Sequence, residues 1–184
     1  MNEKETIKKI LQEGKENITQ IDIFDFDGTL VDTPLFDTHK DIYHQKTGKP
    51  WPHKGWWSKP ESLDMDVFDM PVIPSVIADY KIERSKPNVL MVMLTGRIPK
   101  LAPYVEKILA ANGLKFDRYI YHHGGPTLTS KIATLDALMK EFPKVTSVAQ
   151  WEDRGEHIGP FKAWGAAQDG LDFYITHVKG NHHT

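Results

Sequence analysis

Cysteine is absent from this chain of 184 residues. That excludes a disulfide framework, a thiolate nucleophile and any zinc or iron–sulfur centre held by thiolates. An excess of charge of one sign is missing too: 23 Lys and Arg stand against 25 Asp and Glu, for a net charge of −2. A strongly basic protein that coats nucleic acid is thereby excluded. No apolar run approaches the roughly 20 residues of a membrane-spanning helix. The first segment, Met1–Lys15, is charged and carries acids, unlike a secretory leader, so a cytoplasmic address away from membranes is expected. There is no internal repeat and no low-complexity tract. Carboxylates, hydroxyls, histidines, lysines and the backbone are left to carry chemistry.

What is present is an ordinary globular composition, 40% hydrophobic and 26% charged. The length suits a single domain over 1–184, with residues 32–74 as a small insertion. Asn2–Lys15 is expected to be helical, with Ile7, Ile10 and Leu11 on one face and Gly14 as its stop. Ile18–Phe26 reads as a buried strand of β-branched and aromatic residues, ending in the turn Asp27-Gly28-Thr29. Residues 32–74 hold six of the 12 prolines and three of the 5 tryptophans, so irregular structure is expected there. Further on, helices are expected over Val72–Glu83, Pro99–Asn112, Thr129 or Ser130 to Phe142, and Glu156–Gln168. They alternate with strands over Asn88–Leu94, Phe116–His122, Val145–Trp151 and Leu171–Val178. Gly180–Thr184 is expected to be a mobile tail. The alternation implies an α/β fold with a parallel sheet and right-handed crossovers.

In such sheets ligands bind beyond the carboxyl ends of the strands. Asp25 and Asp27 end the first strand, Thr95 the second, and Glu152 and Asp153 the fourth, while Lys131 opens a helix facing the same edge. Converging carboxylates repel unless a cation neutralises them, and all-oxygen ligation suits Mg²⁺. A carboxylate can also attack phosphorus, and phosphoryl transfer needs mainly positioning and charge neutralisation. Period-two spacing sets Asp25 and Asp27 on one side of the strand end. One can attack phosphorus while the other handles the leaving group's proton.

The run Asp25-Phe-Asp27-Gly-Thr29-Leu-Val-Asp32 resembles the first motif of the haloacid dehalogenase (HAD) superfamily. Leu94-Thr95-Gly96-Arg97 resembles the second, Lys131 the third and Glu152-Asp153 the fourth, in the family's order. Gly55-Trp56-Trp57-Ser-x-Pro60, together with Trp151-Glu-Asp-Arg154-x-x-His157 and Phe161, is similar to the Swiss Army Knife RNA repair-like HAD domain. Thr95-Gly96-Arg97 also resembles the Ser/Thr-Gly-Arg of polynucleotide kinase-phosphatase 3′-phosphatase domains.

The resemblance implies a three-layer α/β/α Rossmann-like fold with a mainly parallel sheet and a small cap-type insertion. It implies a phosphatase in which Asp25 is the nucleophile, Asp27 the general acid and then base, and Thr95 a phosphate contact. Lys131 would neutralise nucleophile and phosphate. Asp25, the backbone carbonyl of Asp27, and Asp153 with Glu152 would form the Mg²⁺ shell. Glu152 departs from the commoner Asp-Asp or Gly-Asp pair, and its longer side chain leaves open which acid binds directly and which through water. The implied substrate is a nucleic-acid end or nucleotide phosphate, as in nucleic-acid repair, and no obligate protein partner is evident. Two alternatives stand beside it: a phosphatase of small phosphorylated metabolites, and a non-catalytic binding module of the same fold.

Other residues have two readings at this level. Gly96 and Arg97 are candidate substrate contacts, although Arg97 could equally pair with a nearby acid. Trp51, Trp56 and Trp57 lie among four lysines, as base-stacking aromatics do in single-strand binders, or else they fill the insertion's own core. Trp56 and Trp57 are the candidate stacking pair. Arg154 and His157 either brace the fourth-motif loop or reach substrate. His122 and His123 either line the site or are plain loop residues, and no histidine spacing marks a zinc site.

Overall fold

β-Branched and aromatic side chains on both faces make the first strand a central one, and it lies at the middle of the sheet. The computed structural model describes residues 2–180 and 182. The strands are β1 Gln20–Phe24, β2 Val89–Leu94, β3 Arg118–Ile120, β4 Ser147–Glu152 and β5 Asp172–His177. All neighbours pair in parallel, in the order β3-β2-β1-β4-β5. The helices are α1 Glu3–Asn17, α2 Phe36–Thr47, α3 Pro74–Arg84, α4 Ala102–Ala111, α5 Thr127–Glu141 and α6 Gly155–Ala166. Short 3₁₀ turns occupy Pro60–Leu63 and Pro99–Leu101.

Alternate residues of β1 feed two cores. Ile21 and Ile23 pack with Leu135 and Leu138 of α5 and Phe161 and Trp164 of α6. Phe24 packs on the other face with Val76 and Tyr80 of α3 and Val105, Ile108 and Leu109 of α4. The outcome is the expected three layers, a parallel sheet between two pairs of helices. Phe24 and Trp151 stack across the sheet with centroids 4.1 Å apart.

The chain winds outward from β1 to β2 and β3, then returns to place β4 on β1's other side. The switch point therefore falls between β1 and β4, where their carboxyl ends part and a ligand cleft forms. Phe24 is level with Met93 and Trp151, and the Asp25 N–H donates to the Trp151 carbonyl at 3.1 Å. That register delivers Asp25 beside Glu152.

Several boundaries differ from expectation. α1 runs through Gly14 to Asn17; a capping box of Asn2 and Glu5 starts it, and Lys15 pairs with Glu141 at 3.0 Å. β3 has three residues, and α5 begins at Thr127 after Pro126. The larger correction lies in residues 32–74, which contain the 12-residue helix α2. None of its residues is fully buried. Ile42 and Tyr43 rest on a satellite core of Trp56, Val67 and Phe68, so the helix has little apolar periodicity to betray it. Of the expected mobile tail, residues 181, 183 and 184 lie outside the described residues. Among the described residues no helix is long and apolar enough to cross a membrane.

Candidate active site

β1 ends at a buried carboxylate. Asp25 Oδ1 accepts from Lys131 Nζ at 3.0 Å, and Thr29 Oγ1 donates to Oδ2 at 3.3 Å. Lys131 sits on the second turn of α5 and also donates to Glu152 Oε2 at 2.8 Å. The other oxygen of Glu152 accepts from the backbone N–H of Asp153 at 3.1 Å and of Arg154 at 3.2 Å. Glu152 is thus fully committed to bracing its own loop and the lysine.

Asp25, Glu152 and Asp153 each bring an oxygen into a cluster in which all three lie within 4.8 Å of one another. One ammonium cannot balance three buried carboxylates, and their protonation reflects it. Burial, then the charge of Glu152, push Asp25 up to about 7. Burial, then Asp25, push Asp153 up to about 10. Burial works to raise Glu152 as well, but Lys131's charge and hydrogen bond outweigh it and hold Glu152 at about 2. An all-oxygen, buried, over-negative cluster fits a hard divalent cation in charge and donor type.

Asp27 sits in a different field. Arg97 Nε lies 3.0 Å from Oδ2, Arg97 Nη2 lies 2.7 Å from Oδ1, and Thr33 Oγ1 donates to Oδ1 at 2.7 Å. Burial alone would raise its carboxyl, but the guanidinium and these bonds hold it below the usual range. Arg97 is itself buried, and its Nη1 donates to the Trp57 carbonyl at 2.7 Å and to Ser62 Oγ at 2.9 Å. Pairing with an acid is therefore the reading of Arg97 that the geometry bears.

A cavity of about 380 Å³ opens over this edge. Asp25, Asp27, Gly96, Arg97, Lys131 and Asp153 line it, with Trp57 on the insertion side. Thr95, Glu152 and Trp56 do not. Thr95 is buried behind the wall, where its hydroxyl accepts from the Arg97 N–H at 3.1 Å. Trp56 corrects its expected place: it is 5% exposed, its indole N–H donates to the Pro34 carbonyl at 2.9 Å, and it packs on Trp51 and Phe68. It belongs to the insertion's core because its N–H finds a buried partner there. Trp57 is 45% exposed, with the Arg97 guanidinium 4.8 Å from its ring centroid.

Arg154 also lines the cavity and pairs with Glu156 at 3.0 Å. His157 is buried with its ring against Phe161 and does not line the cavity. His122 donates to the Gly125 carbonyl at 2.8 Å, and neither it nor His123 lines the cavity. Two lining residues, Thr127 and His182, are absent from the sequence expectations. Thr127 stands one turn before Lys131, so helical i, i+4 spacing is a signal that could have found it. His182 has no local signal.

At Gly28, φ is +70°, and a Cβ would come within 2.5 Å of Asp153 Oδ2 and 2.8 Å of His182 Cβ. The first-motif turn thus needs glycine both for its backbone and for the close approach of the two groups that flank it.

A Rossmann-like sheet with this acid–lysine edge defines a domain of the haloacid dehalogenase type. More narrowly, the chain belongs to HAD domain family 1 of Swiss Army Knife RNA repair proteins, whose model matches residues 38–183. A chain of the solved Pnkp1/Rnl/Hen1 complex is similar in fold, with a TM-score of 0.55 at 14% identity. That likeness covers 89% of this chain and 48% of the other, so this chain spans about half the length of its structural relative. A HAD-superfamily hydrolase of subfamily IA from Geobacter sulfurreducens aligns at TM-score 0.46 and 13% identity, over 88% of this chain and 92% of that one. The family supports hydrolase chemistry, of the phosphatase kind in general.

Proposed function

We propose that this chain is a magnesium-dependent phosphomonoesterase working through an aspartyl-phosphate on Asp25, with a nucleic-acid end or nucleotide phosphate as substrate. The observation that carries the reading is one shared cavity wall: Asp25, Lys131 at 3.0 Å from it, Asp27 and Asp153. An oxygen of Asp25 attacks phosphorus as the bond to the leaving oxygen breaks, and Asp27 supplies that oxygen's proton. Water then attacks the aspartyl-phosphate, Asp27 takes its proton, and inorganic phosphate leaves with Asp25 restored. Lys131 holds the nucleophile and faces the incoming phosphate.

Arg97 grips Asp27 at rest. An arriving phosphate competes for the guanidinium, which lets Asp27 rise, take a proton from solvent and give it to the leaving oxygen. Asp25 and Asp153 would hold Mg²⁺ with the Asp27 backbone carbonyl, while Glu152 stays behind on Lys131. When bound, the ion supplies charge neutralisation for nucleophile and phosphate. Thr95 acts from behind the wall by fixing the turn of Gly96 and Arg97, whose backbone faces the phosphate. The chain works as one domain, 1–184, with residues 32–74 as its cap and Trp57 the cap's exposed aromatic face for a base. The family's place in RNA repair proteins supports that substrate class.

The test is turnover of an aryl phosphate with and without Mg²⁺, beside Asp25→Asn. Turnover that needs both the metal and Asp25 is expected. No hydrolysis of any phosphomonoester with Mg²⁺ present would overturn the enzyme reading. A 3′-phosphorylated oligonucleotide is then set against a mononucleotide and a sugar phosphate. Preference for the oligonucleotide or mononucleotide is expected, and equal use of all three points to small metabolites instead.

A further inference from the structure

The end of β5 and the segment that follows it return over the catalytic edge and touch each of its acidic loops in turn. His177 Nε2 lies 3.1 Å from the Asp153 carbonyl and, since a carbonyl only accepts, donates to it. The Val178 N–H donates to the Glu152 carbonyl at 2.8 Å, and its side chain is buried in the main core. Gly180 packs on the turn at Gly28, where an added Cβ would stand 3.5 Å from the Gly28 carbonyl oxygen. His182 then enters the cavity wall with its side chain 1% exposed. Its Nε2 donates to the Thr33 carbonyl at 2.5 Å and stands 3.7 Å from Asp32 Oδ1, and its ring lies 5.9 Å from that of Trp57. Thr33 is in turn the residue whose hydroxyl donates to Asp27 Oδ1 at 2.7 Å.

We propose that His182 is a positioning residue for the proton-transfer step: it fixes Thr33, and through Thr33 the orientation of Asp27, while closing the cavity wall beside Trp57. This rests on the phosphomonoesterase reading above. Asp27 has two orienting partners, Arg97 and Thr33. The first must yield when phosphate arrives, so the second has to keep the carboxyl aimed at the leaving oxygen. Thr33 can do so only if its own backbone is held: its N–H donates to the Val31 carbonyl at 3.0 Å, and the bond from His182 holds its carbonyl. The buried side chain, the short bond and the bare Gly28 beneath it all belong to one packed contact.

Acid help matters most for poor leaving groups, which separates positioning from mere packing. His182→Ala should lower kcat/KM on an alkyl phosphate about tenfold and on a nitrophenyl phosphate less than about threefold. His182→Gln, which keeps an N–H donor, should recover most of the loss. Hydrogen exchange of the peptide spanning residues 26–34 should quicken in the Ala variant and return towards the original rate in Gln. Equal losses on both phosphates, a Gln variant that behaves like Ala, or unchanged exchange would each overturn the proposal. Hydrogen exchange decides on His182 whatever the reaction is, whereas absence of turnover by the unsubstituted protein removes the phosphomonoesterase reading itself.

Discussion

Arg97 lies with its Nη2 2.7 Å from Asp27 Oδ1 and its Nε 3.0 Å from Oδ2, a fork laid on a carboxylate. Its remaining nitrogen holds the cap at Trp57 and Ser62. One side chain therefore ties the β1 loop, the β2 loop and the insertion together. Its side chain is 1% exposed and that of Asp27 18%, so the pair is poorly screened.

Breaking that pair from one side should be costly. Arg97→Met leaves Asp27 without its cation and should destabilise by about 3–5 kcal/mol in urea unfolding. Asp27→Asn keeps an oxygen for the guanidinium and should cost less. The double variant Asp27→Asn with Arg97→Met should be more stable than the summed single losses imply, with a coupling of about 1–3 kcal/mol. Strict additivity would mean the two side chains do not act together in solution.

Cation binding at the acidic cluster has a thermal signature that needs no substrate. At about a hundredfold excess over Kd, Mg²⁺ should raise the Tm of the protein by about 5–10 °C. Asp153→Asn should remove most of that rise. Because Asp153 is pushed up to about 10, its carboxyl is neutral at pH 7 without a cation. Asparagine resembles that neutral form, so the variant's metal-free stability should change by less than about 1 kcal/mol. An equal rise in both proteins, followed by scanning fluorimetry, would place the cation elsewhere.

The two adjacent tryptophans should part company. Trp56→Ala empties the centre of the cap's core and orphans the Pro34 carbonyl, which should cost about 3–5 kcal/mol. Trp57→Ala removes a 45% exposed ring and should change stability by less than about 1 kcal/mol. If the ring stacks a base, the same change should weaken oligonucleotide binding by about 1–3 kcal/mol and leave sugar phosphates untouched. Equal losses on all substrates would give Trp57 a structural role only.

How far these features can be read from sequence depends on how local their causes are. β1 is legible because its own residues demand burial on both faces, and Asp25 and Asp27 follow at its end. The acid at 152–153 and Lys131 are legible because each follows from strand and helix periodicity at the same sheet edge. α2 was hidden because Ile42 and Tyr43 face only a small satellite core, among prolines and tryptophans that signal irregularity. The division of labour between Trp56 and Trp57 turns on one buried carbonyl, that of Pro34, which no spacing announces. His182 is the extreme case. Its place depends on β5 lying beside β4 and on the chain crossing back over Gly28, a tertiary relationship without local signal. The allotment of Glu152 to Lys131 and the loop backbone belongs with these, because it rests on where two N–H groups point.

Away from the cavity, β1 carries one more acid whose state should be visible in the pH dependence of folding. Asp22 is fully buried in mid-strand; Gln20 Nε2 donates to it at 2.6 Å and to Glu83 Oε2 at 2.8 Å. Burial, then a hydrogen bond with Glu83, push Asp22 up to about 8, while burial's opposing pull on Glu83 is outweighed by bonds from Asp22 and Lys86 that hold it low. The shared proton therefore sits on Asp22. The unfolded chain releases that proton near the ordinary value of 3.8, whereas the folded chain keeps it until about 8. Between those values the native state binds the extra proton, so Asp22's contribution to stability is fully present below about 4 and is lost as pH rises through about 8. Asp22→Asn has no proton to lose. Its stability relative to the unsubstituted protein should climb by about 5 kcal/mol between pH 4.5 and pH 9 and level off beyond. Taking the difference between the two proteins cancels the titration of Asp25 and Asp153, which both share. Urea unfolding at the two pH values measures it, and parallel pH profiles for the two proteins would show that Asp22 is ionised in the fold at neutral pH.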